Sequence, residues 1–76
     1  MIVKLFGVTR EIVGGPLLEV NDIATVGELK DYVMSTYPGI KKLNSLMVAV
    51  NSEYAKDDLT LNENDEIALI PPVSGG

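Results

Sequence analysis

Chemistry in this 76-residue sequence has to be sought away from the usual side chains, because it contains no cysteine and no histidine. Disulfides, zinc sites of the thiolate or imidazole kind, a cysteine nucleophile and any histidine-based triad are thereby excluded, and no metal ligand set is expected. The best remaining candidate is the carboxylate of Gly76, at the end of the run Pro71, Pro72, Val73, Ser74, Gly75, Gly76. A carboxylate is inert to acyl transfer until one oxygen becomes a good leaving group. Adenylation by ATP achieves this, and a sulfur donor can then produce a thiocarboxylate. The residue types suit such a handle. Gly75 and Gly76 lack Cβ and can thread a narrow channel in a partner's active site. Pro71 and Pro72 favour an extended polyproline segment of about 3.1 Å per residue, holding the end clear of the domain. At a glycine usage of about 7%, two terminal glycines arise by chance in well under one chain in a hundred. The dipeptide becomes a strong signal only if the domain behind it fits.

The elements that must carry this tail are readable from apolar periodicity. Residues 2–6 form a β-branched and aromatic run ending at Gly7, which predicts a strand. A mixed segment, 8–13, carries Arg10 and Glu11, and Gly14, Gly15 and Pro16 make a turn. Residues 16–20 predict a second strand, antiparallel to the first because so short a connection cannot cross over. Thr25 with Glu28 three residues on is a capping box, and Ala24 with Leu29 can form a hydrophobic staple. Val26, Leu29, Val33 and Tyr37 then share one helical face, with Pro38 and Gly39 as the stop. Residues 40–44 read as a polar connection, 46–50 as a third strand, the surroundings of Tyr54 as a short edge strand, and 66–70 as the last strand. Hairpin, helix, strand, short strand, strand is the α+β, β-grasp layout of ubiquitin-like proteins. The expectation is a mixed sheet of four to five strands on one main helix: a domain at 1–70 and a flexible, extended tail at 71–76.

One helix covers one face of a sheet, and the other should be polar. Alternation assigns Val3, Leu5, Val48, Val50, Ile67 and Leu69 to the covered face. The other receives Phe6, Met47, Ala49, Ala68 and Ile70 around Lys4, which is too apolar for a merely solvated surface and predicts an interaction face.

Six basic residues against eleven acidic ones give a net charge of −5, which argues against nucleic acid and anionic membranes; it suits a basic protein partner, and solubility alone explains it about as well. No signal peptide is visible before the first strand and no apolar run approaches the roughly 20 residues of a membrane span, so a cytoplasmic protein is expected.

The sequence resembles the small, sulfur-carrying subunits of molybdopterin synthase over essentially its whole length. The likeness is carried by Phe6, Arg10, Glu11 and Gly14, by Thr25, Val26 and Leu29, by Ala49, Val50 and Asn51, and by Asp65, Glu66, Ile67 and Ala68. Most specific is the ending Pro71, Pro72, Val73, Ser74, Gly75, Gly76. The resemblance implies that a ubiquitin-activating-like adenylyltransferase activates Gly76 with ATP and magnesium, that a persulfide donor makes the thiocarboxylate, and that the chain binds no cofactor of its own. It further implies insertion of the tail into the large synthase subunit, within a heterotetramer, to deliver sulfur to cyclic pyranopterin monophosphate. Catalysis by the chain alone is not expected. Gly75 would fit the channel; Phe6, Tyr54 and Ile70 would dock; Pro71, Pro72, Val73 and Ser74 would line the tail's path. Arg10 matches a family position and could equally form a loop-ordering ion pair. Alternatives are a ubiquitin-like protein modifier, a sulfur carrier for thiamine synthesis or tRNA thiolation, and a non-catalytic β-grasp interaction domain.

Overall fold

The computed structural model describes residues 1–43 and 45–71. The tail expected at 71–76 therefore falls outside the described residues except for Pro71, as does position 44 of the expected polar connection. The elements are β1 (Ile2–Leu5), α1 (Val8–Val13), β2 (Leu17–Glu19), α2 (Val26–Thr36), α3 (Pro38–Lys41), β3 (Met47–Val50), β4 (Glu53–Tyr54) and β5 (Ile67–Ile70). They build one five-stranded sheet in the order β2-β1-β5-β3-β4. The β1–β5 pair is parallel and the other three are antiparallel, so the sheet is mixed, as expected.

Helix α2 forms where its cap is written. The Thr25 side chain accepts from the Glu28 N–H at 3.2 Å, satisfying one of the first-turn donors that has no partner within the helix. The Glu28 carboxylate reaches one residue further back than a capping box requires and accepts from the Ala24 N–H at 3.3 Å. Ala24 is exposed, so the expected staple to Leu29 contributes little. Two more first-turn donors are taken by the segment after β4: Val26 N–H reaches the Leu59 carbonyl at 3.0 Å and Gly27 N–H the Asp57 carbonyl at 2.8 Å. Lys30 adds a 2.8 Å ion pair to Asp57. The sheet's edge is thus strapped to the start of the helix.

Val26, Leu29 and Val33 are fully buried against Val3, Leu5, Val48, Ile67 and Leu69, the residues that alternation assigned to the covered face. Burying a Val, Leu or Ile side chain stabilises a domain by about 1.5–3 kcal/mol. This aliphatic layer is the core.

Two segments differ from their sequence reading. Residues 8–13 are helical, although Val8, Thr9, Ile12 and Val13 favour strand and Gly7 offers no capping side chain. Tertiary contacts override propensity here. Thr9 is the one buried polar residue among those described. Its hydroxyl donates to the Phe6 carbonyl and accepts from the Phe6 N–H at 3.0 Å. Gly14, in the left-handed region at φ 97°, ends the turn, and the N–H groups of Gly14 and Gly15 both reach the Arg10 carbonyl. The second difference is α3. Pro38 ends α2, as expected, but then serves as the first residue of a further turn, where its missing N–H does no harm. That turn sends Ile40 into the core rather than leaving it in a polar connection. Among the described residues, no helix is long and apolar enough to cross a membrane.

Candidate functional site

The uncovered face of the sheet carries the candidate site, and strand register explains its composition. Pairing Lys4 with Leu17 and Ala68, and Ala49 with Ala68 and Tyr54, lays one row of residues across all five strands. Ile70 pairs with Met47 one step along. Together with Phe6, these residues enclose a groove of about 340 Å³, lined by Lys4, Phe6, Ala49, Ser52, Tyr54, Glu66, Ala68 and Ile70. Phe6 is 47% exposed and Tyr54 67%. Lys4 and Glu66, both on the groove's lining, form an exposed ion pair at 3.3 Å. Ala49, expected on the open face, does sit there, but at 9% exposure it is largely covered. Tyr54 is its partner across the β3–β4 hairpin.

Tyr54 is held over the groove by a two-residue turn. Asn51 and Ser52 both take positive φ, 53° and 71°, the geometry that suits the twist of a tight hairpin. The Asn51 side chain ties this turn to the start of β5. Its amide donates to the Asp65 carboxylate at 3.0 Å, and its oxygen accepts from the Glu66 N–H at 2.9 Å. Asp65 also accepts from the Asn62 N–H at 2.8 Å. The Asn62 N–H, followed by the Asn51 amide, holds the Asp65 carboxyl below its ordinary value of 3.8. Periodicity alone does not reveal this clasp.

The structure brings Phe6, Tyr54 and Ile70, the residues that the resemblance implied for docking, to one groove. Pro71 follows Ile70 directly and its ring lies against Gly7. Arg10 stands apart, exposed on α1 and beside a separate hollow lined by Gly7, Glu11 and Gly15. Among the described residues it makes no ion pair, so the loop-ordering salt bridge is not formed; the turn is ordered by the Arg10 carbonyl instead. Pro72, Val73, Ser74, Gly75 and Gly76 lie outside the described residues. Ser52 and Glu66 also line the groove. Ile2 and Leu17 extend its apolar margin along β1 and β2.

A mixed five-stranded sheet on one long helix, with an open apolar face beside the point where the last strand ends, defines a ubiquitin-like β-grasp protein. The model of the ThiS family matches residues 3–76. The chain belongs to that family. It is 35% identical over 77 residues to the molybdopterin synthase sulfur carrier subunit of Arabidopsis thaliana, covering 97% of this chain and 80% of the relative. Among solved structures it resembles small archaeal modifier protein 1 from Methanosarcina acetivorans, with a TM-score of 0.80 at 26% identity, covering 99% of this chain and 94% of that one. It also resembles a chain in the complex of subunits 1 and 2 of the molybdopterin-converting factor from Helicobacter pylori, with a TM-score of 0.61 at 26% identity, covering 99% and 96%.

Proposed function

We propose that this chain is the sulfur carrier subunit of a molybdopterin synthase. The Gly76 carboxylate attacks the α-phosphorus of ATP on a ubiquitin-activating-like adenylyltransferase that uses magnesium, and pyrophosphate leaves. The outer sulfur of a persulfide donor displaces AMP to give an acyl disulfide, and a second thiol cleaves its S–S bond, leaving Gly76 as a thiocarboxylate and joining that thiol to the donor as a disulfide. The chain docks through the groove of Phe6, Tyr54 and Ile70 on the large subunit of a heterotetramer, and Pro71, Pro72, Val73, Ser74 and Gly75 lead the sulfur to cyclic pyranopterin monophosphate. Domain 1–70 is the docking body and 71–76 the handle, working in the cytoplasm. The observation that carries this reading is that the family match runs to residue 76, through both glycines, and so ties the fold to its ending. The H. pylori complex supports the large-subunit partner. Intact-mass measurement after incubation with the activating enzyme, ATP and a sulfur source tests it. The mass gain of one oxygen-to-sulfur exchange, mapped to Gly76, is expected; an unchanged mass overturns the reading.

The likeness to a small archaeal modifier protein favours a second use of the same chemistry, in which a lysine amine attacks the activated Gly76. Lysine-linked conjugates in cells would establish it. A thiocarboxylate confined to the free protein would exclude it.

A further inference from the structure

Gly7 stands between the docking face and the tail in a way that the carrier reading does not use. Its backbone sits at φ 57° and ψ −136°, outside the regions open to L-residues with a side chain. A Cβ built there would meet Cγ of Pro71 at 3.0 Å and its Cδ at 3.8 Å. The first distance is shorter than ordinary van der Waals contact, so the Pro71 ring is seated where any other residue would put its side chain. The seat is firm. Phe6 on one side is held by the buried Thr9 hydroxyl, which bonds its N–H and its carbonyl, and the Gly7 carbonyl accepts from the Arg10 N–H at 3.1 Å. Pro71 on the other side follows Ile70, which is fixed in the sheet opposite Met47.

We infer that Gly7 is a positioning residue: its missing side chain makes a seat for the Pro71 ring, fixing where the chain leaves the sheet relative to the docking groove. A partner that holds Phe6 and Ile70 then receives the tail at a set place. This rests on the carrier reading, because only a tail that must enter an active site needs a fixed point of departure.

The test is a double-mutant cycle of Gly7→Ala, Pro71→Ala and the two combined, in the full-length chain with the activating enzyme, ATP and a sulfur source. Kinetics of thiocarboxylate formation are followed by intact mass, and folding by thermal melting. Displacement of a reacting group by about 1 Å can slow an enzyme about a hundredfold. Gly7→Ala is therefore expected to lower kcat at least about tenfold with KM changed much less. Pro71→Ala empties the seat and lowers kcat by itself, and because it removes the Cγ that the new methyl would strike, Gly7→Ala costs little further in the combined variant. A strained turn alone would give the same loss in either background. Additive effects, or an unaffected kcat in Gly7→Ala, overturn the inference. If Gly7→Ala does not fold, Pro71→Gly empties the seat from the opposite side and must show the same fall in kcat. A nuclear Overhauser contact between Gly7 Hα and the Pro71 ring is expected in the unmodified chain, and its absence also overturns the inference. A wild-type chain that never acquires sulfur overturns the carrier reading and this inference with it; a wild type that does, beside an unaffected Gly7→Ala, overturns the inference alone.

Discussion

Replacing Phe6 by alanine measures how much the open sheet face contributes to docking. Phe6 is 47% exposed. With a phenylalanine presenting about 200 Å², roughly 95 Å² remains to be covered by a partner. At about 25 cal/mol per Å² that area is worth about 2.4 kcal/mol, or about 2 kcal/mol once the surface kept by alanine is subtracted. The dissociation constant for the large subunit should rise roughly 30-fold. The fold should be indifferent, since Thr9 holds the Phe6 backbone through its N–H and carbonyl, and the ring contributes nothing to the core cluster. Isothermal titration of the purified subunits reads the affinity, and a thermal melt reads the fold. Tyr32→Ala is the control: Tyr32 lies on α2, the helix that covers the opposite face, and is 38% exposed. Its loss should change affinity by less than about threefold, because it lies outside the contact and no desolvated anchor is removed. A Phe6→Ala chain that binds as tightly as wild type, or two variants weakened alike, would refute the assignment of the docking face.

Thr9→Val keeps the volume but orphans the Phe6 N–H, and should destabilise the domain by about 1–3 kcal/mol in urea unfolding. An unchanged midpoint would mean that the hydroxyl does not order α1. Asp65 has a folded pKa below its ordinary value of 3.8, so its contribution to stability is present above that value and is lost as pH falls through the folded value. An NMR titration should place its midpoint below 3.8 and show it rising in Asn51→Ala; a midpoint at or above the ordinary value would contradict the clasp. Deletion of Gly75 and Gly76 should abolish sulfur transfer while affinity for the large subunit survives. If the shortened chain still supports molybdopterin synthesis, the carrier role fails.

The parts of this fold legible in the sequence are those with a strong period. In β1 and β5, alternation of two separates Val3, Leu5, Ile67 and Leu69 from Lys4, Phe6, Ala68 and Ile70, and the structure keeps that division. In α2 the cap and the face of Val26, Leu29 and Val33 agree with each other. The open groove was legible for the same reason: once one face is covered, alternation leaves the other known. Helix α1 was hidden because Val8, Thr9, Ile12 and Val13 are β-branched and its order comes from one buried hydroxyl, a left-handed glycine and the packing of Ile12 and Val13 on the core, none of which has a local period. Ile40 was hidden among lysines, where a single apolar residue does not signal its own burial. The clasp of Asn51, Asp65 and Glu66 joins residues 14 and 15 positions apart, beyond the reach of any local pattern.

The parallel pairing of β1 with β5 sets an order of events in the life of the chain. Val3 meets Ile67 across the centre of the sheet, 64 positions away, so the middle of the structure is assembled from the earliest and latest strands to be synthesised. Closing so long a loop delays folding compared with local hairpins. While a nascent chain lacks residues 67–70, β1 and β3 have no strand between them, and the layer facing α2 lacks Ile67 and Leu69. A partner that recognises the finished groove therefore finds no complete surface on such a chain. The strand that completes the groove with Ala68 and Ile70 is also the one that ends at Pro71.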